Sequence, residues 1–169
     1  MVKKIVGTGV LLVLALALQA GVKMYTLKSP DGKVKLEVTA GQGIAYSLFY
    51  DGRLLLKPSR IALHTDLPEA DHWENIRITG TKQRHVSETV QAPFYRVKEF
   101  GIDCNELELR LNNGFSLLMR AYNDGMAYRF VAGRKGEMTV VEERAEFNFA
   151  DDFEAYIPYS TNPKDPWNM

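Results

Sequence analysis

The sequence has only one cysteine, Cys104, among 169 residues. A single cysteine excludes an intramolecular disulfide and every metal site built from several thiolates. Net charge is also absent, because 21 lysines and arginines balance 21 aspartates and glutamates. A balanced chain has no long-range field that draws it to nucleic acid or to an anionic membrane. We therefore expect local binding sites, and we expect Cys104 to be a small buried hydrophobe.

Helical periodicity is missing as well. After residue 21 no stretch repeats apolar residues every 3.6 positions, whereas short runs alternate polar and apolar residues, as in 33–38. Turn residues separate these runs at intervals of about 8 to 12 residues. The pattern predicts an all-β protein, an antiparallel β-sandwich that begins with a three-strand meander over residues 33–56. Pro58 is expected to end the third strand.

The N-terminus is the exception to the β pattern. Residues 1–4 carry two lysines and are followed by a mostly apolar stretch over 5–20. This arrangement is typical of a secretory signal peptide and is short for a membrane span. We predict a signal-peptide helix at residues 1–21 and a domain at 22–169, exported to the periplasm or the extracellular space, with no stable span after cleavage. A retained N-terminal anchor is the alternative.

A β-hairpin is predicted over residues 117–130, around the turn Asn123-Asp124-Gly125. Alternation places Leu117 and its neighbours on a core face, and it places Arg120 and Arg129 on the opposite face. A two-residue Asp124-Gly125 loop would set the two arginines opposite each other, which is unfavourable. A three-residue loop would set Arg120 opposite an aromatic ring, so we favour that register.

Carboxylates are needed near these arginines if the pair is buried. Asp103 and Glu106 precede the hairpin and are the candidate partners of Arg120 and Arg129. A structural role is predicted for Glu106, with a catalytic carboxylate as the alternative. Solvated arginines on an outer face are the alternative for the pair.

The three histidines do not predict a metal site. His64, His72 and His85 are separated by eight and thirteen residues, which fits no familiar zinc spacing. We expect scattered surface histidines. An acid/base pair of His72 and Glu74 on one strand face is the alternative.

Two segments carry a resemblance to a known family. Residues 120–130 read Arg-Ala-Tyr-Asn-Asp-Gly-Met-Ala-Tyr-Arg-Phe, which resembles a motif in the N-terminal domain of glycoside hydrolase family 97. The turn at residues 29–38 and the following run at 46–59 are similar to a second family pattern. Cys104 stands where the family usually has an aromatic residue. This resemblance assigns structural roles to the turn residues Asn123, Asp124 and Gly125 and to Arg120, Arg129 and Glu106.

The family resemblance implies a function. Family 97 contains exported bacterial α-glucosidases and α-galactosidases, whose catalytic carboxylates lie in a separate (β/α)₈ barrel. The chain is identified as the front of the N-terminal domain, an incomplete, galactose-mutarotase-like super-sandwich. The resemblance therefore implies no catalytic or metal residue in this chain, an inactive fragment, and calcium bound only in the full-length protein.

The resemblance accordingly implies that carbohydrate is bound by the parent enzyme. It also implies that the catalytic barrel domain is an intramolecular partner of this domain. Tyr159 and Trp167 are the candidate substrate-binding residues, because aromatic rings offer apolar faces to sugars, and packing at a domain interface is the alternative for both. Two other functions stay open: a free-standing carbohydrate-binding or mutarotase-like module, and a non-enzymatic exported interaction module. The choice between α-gluco and α-galacto substrates, and between retention and inversion, is also open.

Overall fold

The structure is a computed structural model that describes residues 23–94, 96–154 and 156. The predicted signal peptide and the candidates Tyr159 and Trp167 lie outside these residues. Within them the secondary structure is entirely β, which confirms the predicted fold class. The strands are β1 (Lys23–Lys28), β2 (Val34–Gly41), β3 (Gly43–Tyr50), β4 (Arg53–Thr65), β5 (Ile78–Gln91), β6 (Glu99–Leu111), β7 (Phe115–Tyr122), β8 (Gly125–Ala132) and β9 (Val140–Ala145).

The strands form two antiparallel sheets. The first sheet has the order β1-β2-β3-β4-β9, and the second sheet has the order β5-β6-β7-β8. Every second residue is buried throughout β7 and from Val34 to Val38 in β2, as the period of two in a pleated strand requires. Leu36 from the first sheet and Leu117 from the second are fully buried. Each such leucine contributes about 1.5–3 kcal/mol relative to an exposed side chain.

The predicted meander is confirmed as β2, β3 and β4, and β1 precedes it in the first sheet. Asp51 and Gly52 connect β3 to β4 with φ angles of 48° and 79°. Positive φ at both central residues defines the turn type whose twist matches that of the flanking strands. The Asp-Gly pair thus closes this hairpin with little strain.

The predicted end of the third strand at Pro58 is wrong, because β4 continues to Thr65. Leu56 pairs with Leu48 and Ser59 pairs with Tyr46, so the register shifts where Pro58 occurs. A β-bulge of this kind accommodates a residue that lacks a backbone N–H. The strand therefore bends at the proline and resumes its pairing.

The expected hairpin register is also wrong. Tyr122 pairs with Gly125 and Arg120 with Ala127, so the loop consists of Asn123 and Asp124. Neither loop residue has a positive φ. The Asn123 side-chain oxygen accepts a hydrogen bond of 3.1 Å from the Asp31 backbone N–H, which anchors this turn to the one between β1 and β2. Tertiary contact, rather than the intrinsic preference of Asp-Gly, sets the loop.

One side of the sandwich is open between the sheets. Tyr46 on β3 packs on Tyr128 on β8, with ring centroids 6.1 Å apart. In the described residues β8 ends the second sheet, whereas the first sheet extends beyond β3 to β4 and β9. Phe149 bridges to the buried Leu56, and alternation places Phe147 on the same inward face. These two rings are nevertheless 54% and 57% exposed.

We expect this exposed inner face to make the chain self-associate, since unpaired edges and contiguous apolar surface favour association. Phe147→Lys should shift the chain toward monomer in sedimentation velocity at about 100 μM, because it places a charge in the face. Phe94→Lys is the matched control: Phe94 is 98% exposed in the loop between β5 and β6. Equal effects of the two substitutions would contradict a role for the inner face.

Candidate functional site

The predicted site residues meet on the outer face of the second sheet. Register places Arg84 on β5 and Arg120 on β7 directly beside Glu106 on β6. One carboxylate oxygen of Glu106 accepts a hydrogen bond of 2.6 Å from Arg84 Nε, and the other accepts one of 2.7 Å from Arg120 Nε. Both oxygens of the carboxylate are therefore occupied, and Glu106 is only 4% exposed.

The two arginines keep Glu106 ionised. Burial disfavours the charged carboxylate, but the hydrogen bonds and charges of Arg84 and Arg120 outweigh it, so the pKa of Glu106 is lowered. The hydrogen bond to Glu106 correspondingly raises the pKa of Arg120. A general acid must hold a proton near neutral pH. The arrangement therefore suits a structural role for Glu106 and not proton donation.

The other predicted partners are placed differently. Arg129 lies opposite Leu118 on the same outer face, and its side chain has no hydrogen bond or ion pair to the described residues. Asp103 was expected to be an arginine partner, but it lies 3.2 Å from His85 Nε2. Cys104 is fully buried beside Glu106, as predicted, and burial raises the pKa of its thiol.

The histidines are not all scattered on the surface. His64 on β4 is half-buried, and its Nδ1 lies 2.7 Å from an Asp71 carboxylate oxygen. Since β4 and β5 belong to different sheets, His64 and His85 do not share a site. No group of three or more metal-ligating side chains occurs within the part of the chain that the structure describes.

A polar groove crosses the outer face of the first sheet, and its smallest hollow reaches the buried side chains of Ile44, Ile61 and Trp73 at the rim of the core. It comprises three adjoining hollows with volumes of about 470, 420 and 130 Å³. Gln42 and Arg60 line all three of them. No local motif predicts this groove, because its walls come from four places in the chain: the turn between β2 and β3, β4, residues 73–75, and the region around β9.

Small residues explain why the surface is hollow there. Gly41, Gly43 and Ala45 form one wall, and Gly43 has a φ of 93° that favours glycine. The facing wall is polar and ordered. Glu146 accepts hydrogen bonds from Arg144 Nε at 2.8 Å and from the Arg60 backbone N–H at 3.0 Å. The hydrogen bond from the Arg60 backbone is the largest cause that lowers the pKa of the Glu146 carboxyl, and the hydrogen bond from Arg144 lowers it further.

Fold and site together define a β-sandwich domain with a polar surface groove. Within the described residues no helix is long and apolar enough to cross a bilayer. Comparison with known families identifies the domain. The family model for the N-terminal domain of glycosyl hydrolase 97 matches residues 27–167, and the chain belongs to this family.

Two curated relatives are similar to this chain. A retaining α-galactosidase of Bacteroides thetaiotaomicron is 40% identical over 151 residues, which cover 89% of this chain and 22% of the relative. A probable retaining α-galactosidase of Streptomyces bingchenggensis is 26% identical over 132 residues, which cover 76% of this chain and 20% of the relative. The chain thus spans about a fifth of the length of the curated relatives it matches.

Solved structures share the fold. A β-arabinopyranosidase is 25% identical with a TM-score of 0.66, covering 74% of this chain and 21% of its own. A family 97 enzyme from Pseudoalteromonas, solved with panose, is 18% identical with a TM-score of 0.63. The match covers 75% of this chain and 20% of that enzyme. These likenesses confirm the sandwich as the N-terminal domain fold of family 97.

Glu106→Gln should lower the free energy of unfolding by about 2 kcal/mol, because it leaves two arginines beside a neutral amide. Arg84→Gln should cost less than about 1 kcal/mol, since Arg84 is largely exposed. Urea unfolding followed by tryptophan fluorescence measures both. Equal losses in the two variants would argue against the buried carboxylate as the centre of this cluster.

The Glu106 effect should depend on pH. A lowered pKa in the folded state means that the ionised carboxylate stabilises the fold at pH values above its unfolded pKa of about 4.3. This stabilisation is lost as the pH falls through the pKa of the folded state. The stability difference between wild type and Glu106→Gln should therefore be full at pH 7 and should shrink below about pH 4. A constant difference across this range would contradict the ionised state.

Proposed function

We propose that this chain is the non-catalytic N-terminal sandwich of an exported glycoside hydrolase that cleaves α-galactosidic bonds. The observation that carries the proposal is the 40% identity to a retaining α-galactosidase over 89% of the chain. The sandwich would pack against an intramolecular catalytic barrel and help to shape its substrate entrance. Export to the periplasm or beyond rests on the predicted signal peptide at residues 1–21.

The described carboxyls whose pKa is shifted are not suited to act as the acid of a glycoside hydrolase. Glycoside hydrolysis uses a carboxylic acid with a raised pKa and a second carboxylate at a fixed distance across the scissile bond. Every described acidic residue whose pKa is shifted has it lowered: Asp31, Asp66, Glu69, Glu106 and Glu146. Such groups are poor proton donors at neutral pH.

Calcium in the full-length protein would likewise be held outside this region. Calcium takes six to eight oxygen ligands, usually including several carboxylates. The described residues provide no cluster of three acidic or metal-ligating side chains. The described residues therefore supply no complete calcium site of their own, and we assign none of them to calcium.

α-Glucosidic bonds are the second candidate. The family 97 structure solved with panose supports this possibility, although at 18% identity it shares only the fold with this chain. The 40% identity to an α-galactosidase favours galactosides. A mutarotase-like site built from two histidines is disfavoured, because His64 and His85 lie on different sheets and each is already paired with an aspartate.

The activity test compares this chain with the longer glycoside hydrolase that the proposal implies. The purified 169-residue chain should show no turnover of p-nitrophenyl α-galactoside or α-glucoside, since the proposal places both catalytic carboxyls in the barrel domain. The longer protein should cleave the galactoside, and faster than the glucoside. Turnover by the 169-residue chain would contradict the non-catalytic assignment, and a preference for the glucoside would reverse the substrate assignment.

A further inference from the structure

We propose that the groove on the outer face of the first sheet binds a neutral saccharide, with Arg60 and Gln42 as its central hydrogen-bonding residues. This inference rests on the proposed function for its ligand class, and it names a binding site within this chain. The largest hollow, about 470 Å³, lies within the range of about 300–1,000 Å³ that is usual for ligand pockets.

Three planar polar side chains face the groove with their hydrogen-bonding capacity unused. Gln42, the guanidinium of Arg60 and the carboxylate of Glu74 make no hydrogen bond to any described residue, and all three are exposed. Together they offer amide and guanidinium donors beside amide and carboxylate acceptors. A sugar hydroxyl both donates and accepts, so this mixture matches vicinal hydroxyl groups.

The charge of the groove favours an uncharged ligand. Arg60 and Arg144 supply two positive charges, and Glu74 and Glu146 supply two negative charges. Arg144 and Glu146 are already paired with each other. Because the charges balance, neither an anion nor a cation gains a net attraction over the groove as a whole, whereas a neutral polyhydroxyl compound can use the donors and the acceptors together.

His64 supplies a further oriented group at the smallest hollow, which it lines together with Trp73. Its Nδ1 is engaged 2.7 Å from Asp71, and this bond leaves Nε2 as the nitrogen available to a ligand. Trp73 donates from its ring nitrogen to the Leu63 carbonyl at 3.1 Å, so the neighbouring ring is fixed as well. Fixed polar groups lose little conformational entropy when a ligand binds.

The backbone of the groove is held independently of its ligand-facing side chains. Arg60 lies between the buried residues Ser59 and Ile61, and its backbone N–H is bonded to Glu146. Replacing the Arg60 side chain therefore removes a hydrogen-bonding group without opening the core. Binding and folding can be separated at this residue.

Saturation-transfer NMR with melibiose, an α-galactoside, tests the site on the 169-residue chain. The method tolerates self-association, and the groove lies on the face opposite to the exposed inner surface. Binding is expected with a dissociation constant of about 1 mM, because the hollow is shallow and polar. Arg60→Ala and Gln42→Ala should each weaken binding by about fivefold or more, and sodium phosphate should not compete.

Arg129→Ala is the matched control, because it removes an exposed arginine from the outer face of the second sheet, and it should leave melibiose binding unchanged. If Arg60→Ala does not fold, Arg60→Lys replaces it, with an unchanged circular dichroism spectrum as the check on folding. Arg60→Lys should also weaken melibiose binding. Absence of melibiose binding, or binding that Arg60 and Gln42 substitutions leave unchanged, would overturn the proposal. The two proposals can fail separately. If this chain binds melibiose but the longer protein has no α-galactosidase activity, the saccharide site is supported and the proposed function is rejected.

Discussion

The shared carboxylate of Glu106 joins three neighbouring strands of the second sheet in one register. Arg84, Glu106 and Arg120 lie side by side on β5, β6 and β7, and both carboxylate oxygens are occupied. A slip of one residue between β6 and β7 would move Arg120 toward the core and Leu117 toward solvent. The ion cluster and the apolar core therefore favour the same register, because a one-residue slip would disrupt both of them.

The same alternation gives the two faces of each sheet different tasks. On β4 the buried Ser59 and Ile61 alternate with Arg60, which points into the groove. On β6 the buried Leu107 and Leu109 alternate with Glu106 and Glu108 on the outer side. In the second sheet the outer face carries a closed ion cluster that stabilises the fold. In the first sheet it also carries polar side chains without hydrogen-bond partners among the described residues, those of Gln42 and Arg60, which are better suited to an external ligand.

Sequence patterns predicted the elements well because alternation is a local property. The two strands of the hairpin and the outward faces of Arg120 and Arg129 follow from residues 115–130 alone. Its register does not, because the loop of Asn123 and Asp124 is held by Asp31 from a turn far away in the chain. The continuation of β4 past Pro58 is likewise not a local property, because a bulge in the pairing with β3 accommodates the missing N–H. The groove escaped notice because Gln42, Arg60 and Glu146 come together only through strand pairing.

The open side of the sandwich bears on how this domain is stabilised in a longer protein. The inward-facing Phe147 and Phe149 are more than half exposed, and β8 has no further strand beside it within the described residues. Burying two such rings would contribute several kcal/mol, about 1.5–3 kcal/mol for each side chain. That amount is comparable with a large part of the net stability of a typical domain, about 5–15 kcal/mol. A covering segment would therefore stabilise the inner face strongly while leaving the groove, on the opposite side of the first sheet, open to its ligand.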